Sequence, residues 1–155
     1  MANTYSQLYI HIVFTVKGRQ NLISKNWKAE IYKYITGIIS DKGQKLITIN
    51  GMPDHIHILI GLKPDKSISD LVRDTRANSS KFISEKKWIN GKFEWQNGFG
   101  AFSYSHSHLT NIIKYIENQE EHHKTRTFKE EYIGFLKLFD VDFKNEYLFD
   151  DVTED

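Results

Sequence analysis

Alternating apolar residues near the beginning of the chain predict a β-strand. Every second residue from 8 to 16 is a large apolar one, and a strand with one buried face has this period of two. Further along, apolar residues recur three or four positions apart, which is the period of a helix with one buried side. These residues are Trp27, Ile31, Ile35 and Ile38.

The middle of the chain predicts two further strands and a second helix. Residues 45–49 and 55–62 have strand-like patterns and are separated by a turn that contains glycine and proline. Ser67, with an aspartate three positions later, predicts the N-cap of the second helix. Residues 88–105 are rich in aromatic residues and glycine, and they predict a bent strand or hairpin.

Two helices are expected in the last third, at about 109–122 and 128–139. The complete order is strand, helix, strand, strand, helix, strand and then extra helices. This order predicts an α+β fold, a ferredoxin-like or RRM-like split-βαβ antiparallel sheet with additional C-terminal helices.

The composition is that of a globular protein, with 39% hydrophobic residues and only 2 prolines in 155 residues. There is no cysteine, which excludes disulfides and cysteine-ligated zinc. No segment has the length of a membrane span, and the start lacks a signal-peptide apolar region. We therefore expect a cytoplasmic protein with no membrane partner.

The net charge of +1 hides two oppositely charged parts. Residues 1–127 carry 18 Lys and Arg against 11 Asp and Glu, whereas residues 128–155 carry 3 against 9. A basic body suits a phosphate-rich partner, but charge alone fits an ordinary solvated surface with an acidic tail better. Without a repeat or linker, we expect one domain over 1–155, with a core at about 5–124 and an acidic extension at about 128–155.

Two histidines lie two positions apart on the third predicted strand. His55 and His57 should face the same side, with backbones roughly 6.5 Å apart. Two imidazoles so placed can bind one cation, and Asp54 could orient one of the rings. The alternative is a pair of strand histidines that are only hydrogen-bonded or solvent-facing.

The helix predicted at 109–122 places Tyr115 and Gln119 on one flank of its apolar stripe, because they are four residues apart. A tyrosine with its ordinary pKa of roughly 10 is a weak nucleophile. A divalent cation nearby could bind and polarise a phosphate for its attack. The alternative is a tyrosine at the edge of the core beside a surface glutamine.

Taken together, these two segments resemble the HUH single-tyrosine transposases of bacterial insertion sequences, including their REP-associated tyrosine transposase relatives. The resemblance extends from about residue 5 to 124. It rests on Pro53-Asp54-His55-Ile56-His57-Ile58-Leu59, on the segment from Lys114 to His123, on His11-Ile12-Val13-Phe14, and on residues 93–98 and 101–103.

The resemblance implies a mechanism and a set of partners. His55, His57 and Gln119 would bind Mg²⁺ or Mn²⁺, and Tyr115 would cleave single-stranded DNA to form a 5′-phosphotyrosine. The DNA would carry hairpins at the transposon ends. The protein would be a homodimer in which the helix that carries Tyr115, here called the tyrosine helix, can dock against the histidine pair of the partner subunit. It would act in the bacterial cytoplasm, near the nucleoid.

Basic residues outside these motifs are candidates for phosphate contacts by charge alone. They are Lys17, Arg19, Arg73, Arg76, Lys81, Lys86 and Lys87. Among the other histidines, His11 could border the metal but fits a buried, hydrogen-bonded residue better, and His123 is an alternative ligand to Gln119.

Three other functions remain open at this point. Residues 97–104 loosely match an RNA-recognition signature whose aromatic residues stack on bases, which would make the chain a binding module. A domesticated relative could bind DNA without strand transfer. A metal-dependent hydrolase would use water and would not need Tyr115.

Overall fold

The structure, a computed structural model, describes residues 4–144. Within them, four strands form one antiparallel sheet in the order β2-β3-β1-β4. The strands are β1 (Tyr9–Thr15), β2 (Lys45–Met52), β3 (His55–Gly61) and β4 (Gly100–Tyr104). The predicted α+β fold with an antiparallel sheet is confirmed.

Five helices accompany the sheet in the described residues. They are α1 (Lys28–Asp41), α2 (Ile68–Lys86), α3 (Leu109–Glu117), α4 (Gln119–His122) and α5 (Phe128–Leu138), with short 3₁₀ turns at Lys17–Arg19 and His106–His108. The second helix begins as predicted, because the Ser67 hydroxyl accepts a hydrogen bond from the Asp70 backbone N–H at 3.1 Å.

One face of the sheet, here called the aliphatic face, packs against α1 and α2. It bears alternate residues of β1 and β3, and α1 contributes its isoleucine stripe to the same core. The strand residues of the aliphatic face are Ile10, Ile12, Phe14, Ile56, Ile58 and Ile60.

The opposite face, here called the histidine face, bears His11, Val13 and Thr15 on β1 and the histidine pair on β3. The sequence pattern predicted that β1 is buried on one side only, and this is wrong: residues 10–15 are all buried. The reason is that α3 and α5 cover the histidine face with their own apolar clusters.

The aromatic segment between α2 and β4 is less regular than predicted. Only Gly100–Tyr104 forms a strand, pairing with β1, and Trp95 makes an isolated bridge with Val16. Phe93 and Trp95 are buried in the aliphatic core, so this segment contributes side chains to the core rather than a hairpin.

The helix predicted at 109–122 is interrupted at Asn118, which separates α3 from α4. The Asn50 side-chain amide on β2 donates to the carbonyl oxygens of Ile116 and Glu117, both at 3.0 Å. In an uninterrupted helix these oxygens would accept from residues 120 and 121. Asn50 therefore replaces two helical hydrogen bonds at the break.

Part of the predicted acidic extension is the helix α5. Its Phe128, Tyr132 and Phe135 are buried against the histidine face. Residues 145–155 of that extension lie outside the described residues, and the division into one core and one extension stays a prediction. In the part of the chain that is described, no helix has the length and hydrophobicity needed to cross a membrane.

Candidate active site

The histidine pair lies on β3 at the centre of the histidine face. His55 and His57 are fully buried, and their ring centroids are 5.1 Å apart. They share this face because side chains at i and i+2 of a strand point to the same side. The pair predicted from the sequence is therefore in a position to act on one ligand.

In each histidine, the ring nitrogen that points away from the centre is hydrogen-bonded to an outer neighbour. His55 Nδ1 is 2.7 Å from an Asp54 carboxylate oxygen, and His57 Nδ1 is 2.8 Å from His11 Nε2. Burial would raise the pKa of the Asp54 carboxyl, but the bond from His55 and the charge of Arg19 outweigh it and hold the pKa below its ordinary value. Both Nε2 atoms are left to face the centre of the cluster, an arrangement that orients metal-binding histidines.

A carboxylate from α5 completes this cluster. Glu131 is almost fully buried, and its Oε1 lies 3.0 Å from His57 Nε2, 3.6 Å from His55 Nε2 and 3.3 Å from His123 Nε2. Burial would raise the pKa of the Glu131 carboxyl, but the hydrogen bonds from His123 and His57 and the nearby imidazoles hold the pKa far below its ordinary range. The carboxylate is therefore ionised at the centre of a buried site.

Burial also acts on the imidazoles. It lowers the pKa of His57, although Glu131 opposes the shift, and it lowers the pKa of His11 well below the ordinary value with help from His57. Neutral imidazoles are the form that binds metals, so the environment favours the ligand form of His57.

Tyr115, on α3, contacts the carboxylate oxygen of Glu131 that does not face the histidines. Its hydroxyl donates to Glu131 Oε2 and accepts from Arg126 Nη2 at 2.7 Å, and its ring stacks on His122 with centroids 4.3 Å apart. Burial raises the pKa of Tyr115 above its ordinary value, Glu131 raises it further, and Arg126 opposes the shift. The tyrosine is a protonated phenol in this arrangement.

Gln119 is the first residue of α4 and is fully buried beside the pair. Its amide oxygen lies 3.3 Å from His55 Nε2 and 3.1 Å from His123 Nε2, and its amide nitrogen donates to Glu131 Oε2 at 3.1 Å. The structure thus brings the four residues predicted from the two motifs into one cluster and adds Glu131.

The donor set fits a divalent cation. One nitrogen of each of His55 and His57 and one carboxylate oxygen of Glu131 all lie within 4.8 Å of one another. Ligands at right angles around a cation with bonds of roughly 2.1 Å are about 3 Å apart, and the His57–Glu131 separation of 3.0 Å already matches this. Two imidazoles, a carboxylate and an amide oxygen suit a first-row divalent metal.

Sequence reasoning missed Glu131, although a signal was present. It lies on the buried stripe of α5, three residues after Phe128 and four before Phe135. Burying a carboxylate without partners costs free energy. A glutamate on the apolar stripe of a helix therefore indicates a side chain that makes polar contacts inside the protein. Arg126 was also missed, and its contact with Tyr115 depends on how the loop before α5 folds back.

The candidate DNA-contacting residues lie in different surroundings. Lys17, Arg73 and Arg76 line one cleft of about 460 Å³ beside α2, and Arg76 donates to the carbonyl oxygens of Gln96 and Gly98 at 2.9 and 3.0 Å. Arg19 is buried, 3.8 Å from Asp54 and above the Phe128 ring, which leaves it little surface for a phosphate.

The lysines at the end of α2 are exposed. Lys86 forms an ion pair with Glu30 at 3.4 Å. Lys81 lies on the solvent side of α2, and Lys87 is the residue that caps its C-terminus. Their role as phosphate contacts stays a prediction.

Comparisons with known proteins place the chain in a family. A family model described as IS200-like transposase matches residues 4–119. The chain is 28% identical over 122 residues to the ISDra2 transposase TnpA of Deinococcus radiodurans, which covers 74% of this chain and 86% of that protein.

Two solved structures share the fold. One is a Deinococcus radiodurans protein assigned as a transposase, with a TM-score of 0.61, 22% identity, and coverage of 76% of this chain and 94% of that one. The other is a REP-associated tyrosine transposase bound to a REP hairpin, with a TM-score of 0.57 and 13% identity; the match covers 75% of this chain and 68% of that one. Because the family model matches most of the residues of this chain, the chain belongs to the IS200-like transposase family.

Proposed function

We propose that this protein cleaves and rejoins single-stranded DNA through a covalent link to Tyr115. The observation that carries the proposal is the convergence of the half-buried Tyr115 hydroxyl with two buried histidines and a buried, ionised carboxylate. Membership of a transposase family supports DNA as the substrate.

His55 and His57 would hold a divalent cation, Mg²⁺ or Mn²⁺, with Gln119 and Glu131 supplying the oxygen ligands. When bound, the cation supplies positive charge that draws in the scissile phosphate and polarises it. Asp54 and His11 keep the two rings oriented through their outer nitrogens.

In the cleavage step, the Tyr115 oxygen bonds to phosphorus and the bond from phosphorus to the 3′ oxygen breaks. The phenol loses its proton, and the leaving 3′ oxygen gains one. The products are a 5′-phosphotyrosine and a free 3′-hydroxyl. In the reverse reaction a 3′-hydroxyl displaces Tyr115, so strands are rejoined without an external energy source.

In the proposed site, the nucleophile and the ligands all come from one chain. Tyr115 contacts Glu131 and lies with its ring centroid 6.3 Å from that of His57, which supports cleavage by each subunit's own tyrosine. The homodimer expected from the family resemblance stays a prediction, as does a cytoplasmic location near the nucleoid.

DNA could approach the site along the end of the sheet where β1 finishes. Thr15 pairs with His55, and the next residues, Val16 and Lys17, are bonded to the segment that lines the basic cleft. The cleft with Lys17 and Arg73 therefore lies at the same sheet end as the histidine pair. We propose that it binds the backbone of a hairpin-bearing strand. The solved REP-associated tyrosine transposase with a similar fold is itself bound to a REP hairpin.

Base stacking in the manner of an RNA-recognition domain finds no support. Phe102, the central aromatic residue of β4, is buried against Phe135 and Phe139. A base could stack on it only if α5 left the sheet.

The test is a denaturing gel of the protein incubated with Mn²⁺ or Mg²⁺ and labelled single strands from the DNA that flanks its gene. We expect an adduct resistant to heat and detergent that is lost on chelation and in Tyr115→Phe. His57→Ala should lose it together with the metal-dependent rise in unfolding temperature. Tyr104→Phe is the matched control, since Tyr104 lines the same cleft as Tyr115, but among the described residues the hydroxyl that is hydrogen-bonded to Glu131 is that of Tyr115.

An adduct that persists in Tyr115→Phe would show that another residue is the nucleophile. Native binding without an adduct, across all flanking strands and both metals, would indicate a binding-only relative. Strand cleavage without an adduct, unaffected by Tyr115→Phe, would indicate a hydrolase that uses water.

A further inference from the structure

Arg126 lies at the nucleophile, although neither sequence motif includes it. It is half-buried in the loop between α4 and α5, and its backbone N–H is bonded to the His122 carbonyl oxygen at 3.2 Å. Its Nη2 donates to the Tyr115 hydroxyl at 2.7 Å, and its guanidinium carbon is 5.8 Å from the centre of the Tyr115 ring. The loop thus fixes the guanidinium group beside the attacking oxygen.

Arg126 has no ion-pair partner among the residues that the structure describes. In the described part of the chain, no Asp or Glu oxygen lies within 4.0 Å of its guanidinium nitrogens. By contrast, Lys124 in the same loop pairs with Glu121 at 2.9 Å. A guanidinium has five donors in a planar fork, and one of those on Arg126 bonds to Tyr115.

Arg126 also borders open space. Arg126, Tyr115, Asn111 and Glu131 line a cleft of about 390 Å³ between α3 and α5. A phosphate attacked by the Tyr115 oxygen must bring its phosphorus to within roughly 3–3.5 Å of that oxygen. Its non-bridging oxygens are then within hydrogen-bonding reach of a guanidinium that already touches the same atom.

We propose that Arg126 binds a non-bridging oxygen of the scissile phosphate and holds the same phosphate after it is joined to Tyr115. This inference rests on the proposed function for the identity of the phosphate. Arg126 makes and breaks no covalent bond. It positions the phosphorus opposite Tyr115 and stabilises the negative charge that builds up on the phosphate oxygens during transfer.

The experiment has two measurements on the full chain. The first is equilibrium binding of labelled single strands from the gene's flanking DNA in the presence of chelator, where the proposed cleavage does not proceed, at several salt concentrations. The second is the rate of adduct formation with saturating DNA and Mn²⁺. The variants are Arg126→Ala, Arg126→Lys and, as the control that removes the same charge from the same loop, Lys124→Ala.

We expect Arg126→Ala to bind roughly ten-fold more weakly, with the salt slope of the binding constant reduced by about 0.7, the value for one phosphate contact on a single strand. Its adduct rate should fall roughly ten- to hundred-fold at saturating DNA. Arg126→Lys should keep the salt slope and recover part of the rate, which a merely structural role would not produce. Unfolding temperatures of the variants check that each is folded.

The outcomes separate this inference from the proposed function. If the wild type forms the adduct and Arg126→Ala matches it in rate, affinity and salt slope, Arg126 does not bind the phosphate although the function stands. Equal losses in Lys124→Ala and Arg126→Ala would also overturn the inference. If the wild type forms no adduct but Arg126→Ala still loses affinity and salt slope, the proposed function is wrong while the phosphate contact is real.

Discussion

On the aliphatic face of the sheet, α1 and α2 bury isoleucine, leucine and phenylalanine side chains, whereas on the histidine face the last three helices bury three histidines, a glutamine and a glutamate. Both faces exclude water to a similar degree. Apolar burial stabilises a fold by roughly 25 cal/mol per Å². Burying a polar group costs free energy unless it is hydrogen-bonded, so the second face is the less stable way to cover a sheet.

The histidine face also leaves some of this cost uncompensated. His11 Nδ1 and Thr15 Oγ1 are buried and have no hydrogen-bond partner among the described residues, as is also true of the Tyr32 and Thr75 hydroxyls on α1 and α2, but only the histidine face adds ionisable groups at its centre. Selection for stability alone would replace such groups with apolar ones. The difference between the faces indicates that the aliphatic face holds the fold together and that the histidine face is kept for chemistry.

Neighbouring residues on β3 allow the sharpest separation of these two roles. Ile58 faces α1 and α2, and Leu59 faces α3, and both are buried. Ile58→Ala and Leu59→Ala should each lower the free energy of unfolding by about 2–5 kcal/mol, because each leaves a cavity. Denaturant titration measures this loss.

The two variants should differ in cleavage. At a temperature where both are folded, Ile58→Ala should form adduct at the wild-type rate, whereas Leu59→Ala should be slower because Leu59 supports Ile112 and Ile116 of the tyrosine helix. An equal loss of rate in both variants would show that the faces are not separable in this way.

The second prediction concerns the carboxylate that distinguishes the histidine face most strongly. Glu131→Gln keeps the shape but removes the charge that faces His57 and His55. Mn²⁺ affinity, measured by calorimetry, should fall at least about ten-fold. Glu130→Gln is the matched control, because Glu130 is exposed and only caps the start of α5. Unchanged Mn²⁺ affinity in Glu131→Gln would remove this residue from the ligand set.

What could be predicted from the sequence follows the same division. The strand and helix periods predicted the aliphatic face, because each apolar residue there repeats a local spacing. The positions of His55, His57, Tyr115 and Gln119 on one flank of their own elements were also local information. His55 and His57 are two residues apart on a strand, and Tyr115 and Gln119 are four residues apart on a helix. The period of a single strand or helix is therefore enough to predict that each pair shares one side.

Contacts that depend on docking could not be predicted in this way. Glu131 meets His57 from 74 residues away in sequence, and only the packing of α5 on the sheet brings them together. Arg19 looked like a surface cation but is buried beside Asp54 and Phe128. For the same reason, β1 was expected to have one wet face, since its sequence does not show that later helices cover it.

The smallest expected effect concerns the contact that joins β2 to the break between α3 and α4. The Asn50 amide donates to two carbonyl oxygens, those of Ile116 and Glu117, and each neutral hydrogen bond contributes roughly 0.5–1.5 kcal/mol. Asn50→Ala should therefore lower the free energy of unfolding by about 1–3 kcal/mol. Asn50→Asp should lower it more, because a carboxylate of the same shape presents oxygens to both carbonyls and donates nothing. Denaturant midpoints in the order wild type, alanine, aspartate would show that this amide holds the end of the tyrosine helix, whereas an aspartate variant as stable as the wild type would show that it does not.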